Sequence, residues 1–375
     1  MRRIAARIDE VVESQVHRVI AIDQISDSWT PDIRYLVLVN EKSEIEEVVK
    51  LRSAGLTNIG WIESADIEID DVVVPQAKKS VAIVLYRAND LHHSLLMTNQ
   101  CNSYCLMCSQ PPTKQNDSWL VREAIDVIRH IRISPVVLGL SGGEPLLLGS
   151  ALRTVIDEIH RNHPNTKIEV LTNGRLFSDR VIAKAVLDEL GNYVSWLVPL
   201  YGHADFIHDF VVQSPGAFDE TIAGLLVLQE HKQPVQLRIV LIEPVLQILD
   251  ELSSFIGRNL AFIREVALMA CEPIGFALAN REHCEVDLND WEAQLVAAAK
   301  IFRRAKIPYL FMNAPLCSLP KILWADSHKS ISDWKNVYTE ECEKCSVKES
   351  CSGLFSWHET GWKPAKVKAI EETIA

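Results

Sequence analysis

From Ser94 onward, short apolar runs alternate with stretches of helical period, roughly 20–40 residues to a unit, and this alternation constrains the fold more than any other feature. Apolar runs predict strands at Ser94–Asn99, Val136–Leu140, Ile168–Leu171, Trp196–Leu200, Gln236–Leu241 and Glu265–Met269. Between them, helical spacing predicts helices at about 118–132, around Leu152, Val155, Ile156 and Ile159, and at about 179–190, 218–231 and 246–258. Strand–helix repetition of this kind means parallel βα units. Six units fall two short of the eight that close a barrel, so an open or partial barrel is the economical architecture. A doubly wound sheet gives the same periodicity. A longer helix at about 287–305 and a strand at Ile307–Met312 follow, and the tail from Asn313 is loop-rich.

Residues 1–92 contain no cysteine and read as a small α/β unit. Its strands are expected at Ile33–Val39, Trp61–Ile62 and Val81–Tyr86, and its helix at Glu44–Ser53, begun by a Ser43/Glu46 capping box and stopped by Gly55. The acidic run Glu63, Asp66, Glu68, Asp70 and Asp71 reads as a solvated edge, with a docking surface as the alternative. The expected division is therefore an N-terminal α/β domain (1–92), a partial barrel (93–285) and a cysteine-rich extension (286–375).

Lysine plus arginine number 38 against 50 aspartates and glutamates, for a net charge of −12. Such a surface repels a phosphate backbone, so general nucleic-acid binding is disfavoured, with small local basic patches as the alternative. No stretch reaches the ~20 apolar residues of a membrane span. Met1–Arg7 leads straight into Asp9 and Glu10, without the apolar core of a secretory signal, so a cytoplasmic protein with reduced thiols is expected. In that setting nine cysteines, an odd number, point to metal or redox chemistry rather than a disulfide framework.

Cys101, Cys105 and Cys108 stand at C-x3-C-x2-C directly after the first strand of the repeat. Zinc usually takes four ligands, and no histidine or cysteine nearby completes a local set. Three thiolates hold three irons of a four-iron cluster and leave the fourth open to a small molecule. A zinc site completed from a distance, or three buried thiols, are the alternatives. A second group, Cys317, Cys342, Cys345 and Cys351, suits a closed four-iron cluster or a structural zinc. Cys271 and Cys284 are left over. Cys271 follows the sixth strand and reads as a buried apolar cysteine, with a role in the site as the alternative.

The first cysteine motif and its position resemble the radical S-adenosylmethionine (SAM) superfamily. The resemblance implies a [4Fe-4S] cluster on Cys101, Cys105 and Cys108, whose open iron chelates SAM. The reduced cluster then cleaves SAM to a 5′-deoxyadenosyl radical that takes hydrogen from the substrate, so a reducing electron donor is implied. Ser141, Gly142, Gly143, Glu144 and Pro145 look like the family's glycine-glycine-glutamate motif, which holds the SAM amino group. Thr172 and Asn173, in Leu171-Thr172-Asn173-Gly174, are then SAM or substrate contacts, against a turn-forming reading. Arg238 reaches the ribose or carboxylate, against a surface strand arginine. Where many relatives carry an aromatic residue beside the adenine, this chain has Met107, whose thioether fills the same space.

Cys342, Cys345 and Cys351 (C-x2-C-x5-C) resemble the core of SPASM/twitch extensions, which bind auxiliary clusters. A full SPASM core has a further cysteine where this chain has Phe355. A twitch-like set completed by Cys317, with a second [4Fe-4S] cluster, is the implied reading. Longer stretches narrow the resemblance. Tyr86–Asp90, Asn99–Ser103, Cys105–Pro112, Pro199–His203, Ile207–Asp209, Gly216–Asp219, Val266–Met269, Glu272-Pro273, Gly275–Ala277 and Ile331–Asn336 together look like the His-Xaa-Ser system radical SAM maturases, HxsC. That family implies a ribosomally made His-Xaa-Ser precursor peptide as substrate and a companion radical SAM protein, HxsB. A different peptide, protein or small-molecule substrate, and a non-catalytic partner of HxsB, are the competing readings. His203 and the pair His208-Asp209 read as helix-capping loop residues, with peptide contact or proton relay as the functional alternative.

Overall fold

The computed structural model describes residues 2–12, 14–358, 362 and 367–371. Eight strands form one sheet in chain order: Ser94–Thr98, Val137–Gly142, Lys167–Leu171, Val194–Pro199, Val235–Leu241, Glu265–Ala270, Tyr309–Met312 and Ser327–His328. The six expected strands of the repeat and the strand expected at Ile307–Met312 are all there, and Ser327–His328 extends the sheet. The strands from Val194–Pro199 to Tyr309–Met312 pair in parallel, with Pro199 beside Arg238, Leu241 beside Ala270 and Met269 beside Met312. Helices Trp119–His130, Ser150–Asn162, Arg180–Leu187, Ala217–Glu230 and Leu249–Asn259 connect the strands. Along Val235–Leu241 the burial alternates. Val235, Leu237, Ile239 and Leu241 are buried, while Gln236, Arg238 and Val240 line a half-buried opposite face. Period-two burial of this kind gives the sheet one wholly apolar face and one that accommodates polar groups.

The chain divides into two compact units, one of residues 1–97, 117–139 and 154–168, the other of residues 98–116, 140–153 and 169–375. The first holds a seven-stranded mixed sheet in the order Arg2–Ala5, Val81–Tyr86, Val72–Gln76, His17–Ile20, Tyr35–Leu38, Ile59–Glu63, Arg7–Ile8. Its faces bury two apolar clusters, one around Val19, Leu36, Ile62 and Val73, the other around Tyr35, Val37, Val48 and Ile59. The helix of this unit is Lys42–Ser53. Glu41 caps it with Glu44, so the capping box sits two residues earlier than the Ser43/Glu46 pair.

The acidic run is a solvated edge only in part: Asp66 is exposed and Glu63 and Glu68 are half-exposed. Asp70 and Asp71 are buried. Asp71 accepts from Arg87 Nε at 2.9 Å and Nη2 at 2.6 Å, and Asp70 accepts from Arg132 Nε at 2.7 Å. Carboxylates enter a core only with such partners. The tail of the second unit is built from short 3-10 turns and a two-residue ladder between Asn336–Val337 and Leu354–Phe355, as its composition leads one to expect.

Candidate functional site

The expected site residues come from the ends of successive strands of the large sheet. Cys101 follows Ser94–Thr98, Glu144 follows Val137–Gly142, and Thr172 and Asn173 follow Lys167–Leu171. The glycine motif fastens the first two of these ends together. Gly143 N–H donates to the Thr98 carbonyl at 2.8 Å, and Glu144 N–H to the Gln100 carbonyl at 2.7 Å. A Cβ on Gly143 would stand 2.1 Å from the Gln100 oxygen, and one on Gly142 2.3 Å from the Thr98 oxygen. The close approach these glycines permit is therefore to the backbone leading into Cys101. Ser141 is half-buried beside them.

Glu144 is completely buried. Its Oε1 accepts from Thr172 Oγ1 at 2.5 Å and Leu146 N–H at 2.9 Å, and its Oε2 accepts from Asn173 N–H at 2.6 Å. The carboxyl group expected to receive an ammonium group also fixes the Thr172-Asn173 turn. Both side chains of that turn are likewise committed. Thr172 Oγ1 accepts from Gly174 N–H at 3.1 Å, and Asn173 Nδ2 donates to Asn102 Oδ1 at 2.6 Å.

Burial raises the Glu144 pKa to about 7 against the pull of its three donors. Unfolded, the group ionises near 4.5. Between these values the folded chain binds the extra proton, so this residue makes stability fall as pH rises from about 4.5 to about 7. The full effect is about 3 kcal/mol. Glu144→Gln is expected to flatten that slope in the cluster-free chain, which denaturant midpoints at pH 5 and 7.5 would measure.

The cysteine loop is held from several sides. Tyr104 and Leu106 donate their N–H groups to the carbonyls of Val212 (3.0 Å) and Val211 (2.9 Å), and Cys108 N–H closes a turn onto the Cys105 carbonyl at 3.0 Å. Asn280 Nδ2 donates to the Leu106 carbonyl at 3.0 Å, and Phe276 N–H to the Cys108 carbonyl at 2.9 Å. Met107 is buried within the loop.

The strongest clamp is a residue that sequence reasoning passed over. Arg175 Nη1 donates to the Asn102 carbonyl (2.6 Å), Ser103 Oγ (2.9 Å) and Ser214 Oγ (2.9 Å), while its Nε meets Glu220 at 2.7 Å. Arg175→Met leaves these acceptors unpaired and is expected to cost about 2–4 kcal/mol. Thermal denaturation, with iron retained per chain as the second readout, checks it.

The three thiols stand close enough to feel one another's charge. Cys101 is pushed up to about 11, first by burial, and Cys105 to about 12, by burial and then by its two neighbours; burial also raises Cys108. Buried thiols that repel each other on ionising are a donor set that calls for a cation. Among the described residues no three of His, Cys, Asp and Glu approach closely enough to share a single metal ion.

Arg238 is not a surface arginine. Burial lowers its pKa, and its Nε donates to Gln236 Oε1 at 3.1 Å, which in turn reaches Glu265 through Nε2 at 2.6 Å. His208 is buried, with Nδ1 accepting from Tyr201 N–H at 3.2 Å. Asp209 caps helix Ala217–Glu230 through Gly216 N–H (2.5 Å) and Phe218 N–H (2.8 Å), which fits the capping reading. His203 keeps a buried Nδ1 without a partner.

In the tail, Cys317, Cys342, Cys345 and Cys351 line one pocket together with Pro315, Leu316 and Tyr338. Backbone N–H groups are aimed at their sulfurs. Leu316 and Gly353 donate to Cys351 Sγ at 3.3 and 3.4 Å, and Ile370 donates to Cys345 Sγ at 3.5 Å.

Residues 95–246 match the model of the Radical SAM superfamily. The chain carries a radical SAM domain. Members of this superfamily are enzymes that use SAM and a [4Fe-4S] cluster, and this chain is an enzyme with an α/β radical SAM fold. The match contains the three-cysteine loop, the glycine motif, Thr172, Asn173 and Arg238, and stops before Cys271. An uncharacterized protein of Methanocaldococcus jannaschii is 24% identical over 232 residues, 60% of this chain and 79% of its own length. A probable GTP 3′,8-cyclase of Methanocella arvoryzae is 27% identical over 198 residues, 51% of this chain and 59% of its own. Among solved structures, Streptococcus suis SuiB bound to S-adenosylmethionine superposes at a TM-score of 0.48 with 12% identity, covering 61% of this chain and 51% of that one. No helix among the described residues is long and apolar enough to cross a membrane.

Proposed function

We propose that this radical SAM enzyme is a peptide maturase of the His-Xaa-Ser system, of HxsC type, that modifies a ribosomally made precursor peptide alongside the companion HxsB. The observation that carries the reading is the tail pocket. Four thiols outside the radical SAM domain gather in one apolar pocket with amide groups directed at their sulfurs, a setting suited to a second [4Fe-4S] cluster. We assign the first cluster to Cys101, Cys105 and Cys108, and read the open eight-stranded order as a partial barrel. Residues 1–92 serve as the recognition or partner-docking part and residues 286–375 as the auxiliary-cluster extension.

When bound and reduced by an electron donor, the first cluster and SAM supply the hydrogen-abstracting radical. The chain's own part is to hold and shield it. Arg175, Asn280 and the strand ends fix the cysteine loop; Glu144 fixes the turn beside it; Arg238 supplies a partly desolvated cation on the half-buried sheet face for a carboxylate. Anaerobic incubation with SAM, a reductant and a His-Xaa-Ser peptide is expected to yield 5′-deoxyadenosine together with a mass change in the peptide. 5′-Deoxyadenosine without any change in the peptide would redirect the assignment to another substrate. Replacing Cys342, Cys345 and Cys351 by alanine is expected to lower iron from about eight to about four per chain. Unchanged iron, or zinc in its place, would remove the auxiliary cluster.

A further inference from the structure

Glu265, Gln236 and Arg238 form a line of hydrogen bonds on the half-buried face of the large sheet. The two-residue period of strand Val235–Leu241 puts Gln236 and Arg238 on that face, and the parallel register sets Glu265 directly beside Gln236. Arg238 Nε donates to Gln236 Oε1 at 3.1 Å, and Gln236 Nε2 donates to Glu265 Oε2 at 2.6 Å. The amide is thereby fixed in one orientation, its oxygen toward the arginine and its nitrogen toward the carboxylate. No described residue accepts a hydrogen bond from Arg238 Nη1 or Nη2. Along the strand, Arg238 stands nearer than Gln236 to the C-terminal strand ends that carry Cys101, Glu144 and Thr172.

We propose that Gln236 and Glu265 are positioning residues, which hold the Arg238 guanidinium by its Nε and so present its two terminal nitrogens to a ligand carboxylate. The proposal rests on the reading of Arg238 as a carboxylate-binding cation. A guanidinium grips a carboxylate through two parallel N–H donors, either along the edge that Nε shares with one terminal nitrogen or end-on through both terminal nitrogens. With Nε bonded to Gln236, the end-on pair is the one left. The amide also stands between two opposite charges. It satisfies the Glu265 carboxylate with its own nitrogen and leaves the charge of the guanidinium to an incoming anion. Without it, Arg238 would turn about its flexible stem and pair with Glu265 directly, which blunts the site. The carboxylate comes either from SAM or from the substrate.

Equilibrium binding to the reconstituted full chain, measured anaerobically, tests this. The ligands are SAM, decarboxylated SAM, and a His-Xaa-Ser peptide with its carboxylates free or blocked as amides. Gln236→Met removes both hydrogen bonds at nearly constant volume. It is expected to weaken SAM about tenfold and to leave decarboxylated SAM unchanged. If the carboxylate belongs to the substrate, the same loss falls on the free peptide and spares the blocked one. In an Arg238→Met chain, Gln236→Met is expected to add nothing, because its effect passes through the guanidinium. Glu265→Gln keeps an acceptor for the Gln236 amide and is expected to stay within about twofold of wild type, whereas Glu265→Ala acts in the same direction as Gln236→Met. The two Glu265 variants carry the test if Gln236→Met folds poorly. A purely structural role would weaken both forms of a ligand alike and would add in full to Arg238→Met. Either result overturns the proposal, as does unchanged binding of all four ligands. No turnover is needed, so a peptide that binds and is not modified counts against the maturase reading alone.

Discussion

Replacing Cys101, Cys105 and Cys108 together by alanine is expected to lower 5′-deoxyadenosine formation by more than about a thousandfold while leaving about four irons on the chain. The expectation follows from the donor set. Cys101, Cys105 and Cys108 are half-buried on a loop that Arg175, Asn280 and the backbone of Val211 and Val212 hold in place. Alanine removes the sulfurs without disturbing those hydrogen bonds, so the fold is expected to survive, and a near-native circular dichroism spectrum would confirm it. A loss of all iron would mean that the tail pocket does not hold a cluster of its own. Retained SAM cleavage would mean that the radical chemistry starts elsewhere.

Gly143→Ala is the second substitution with a large expected effect. The added Cβ would stand 2.1 Å from the Gln100 oxygen and 2.6 Å from its carbonyl carbon, both backbone atoms with no side chain to give way. The two chain segments must separate, and the bonds from Gly143 N–H to Thr98 and from Glu144 N–H to Gln100 go with them. Overpacking and lost hydrogen bonds together are expected to cost about 2–4 kcal/mol. Because Gln100 is the residue before Cys101, iron retention is expected to fall as well. Thermal denaturation and iron analysis measure the two effects, and an unchanged melting temperature would contradict the assignment of these glycines to the closure of the strand ends.

The large sheet was legible because its signal is local: apolar runs and helical spacing mark each βα unit within a short window. The three-cysteine loop was legible for the same reason. The tail cysteines were found by number and spacing, though only the fold shows Cys317 joining residues 342–351 in one pocket. What escaped the sequence depends on contacts between distant positions. Arg175 looks like any arginine after an Asn-Gly turn until Asn102, Ser103 and Ser214 converge on its guanidinium. Asp70 looks like one more surface acid until Arg132, 62 positions on, pairs with it. Glu144 was read for what its charge offers a ligand, and only the fold shows that its carboxyl group also accepts from Thr172, Asn173 and Leu146.

The central claim is that three thiolates leave one iron of a four-iron cluster open to SAM. The most direct measurement is a Mössbauer spectrum of the chain reconstituted with ⁵⁷Fe in the Cys342/Cys345/Cys351→Ala background, recorded with and without SAM. The account predicts a cluster in which one iron of the four changes its isomer shift when SAM is added. A spectrum that SAM leaves unchanged, or a chain that binds zinc at these thiols and no iron, would contradict it.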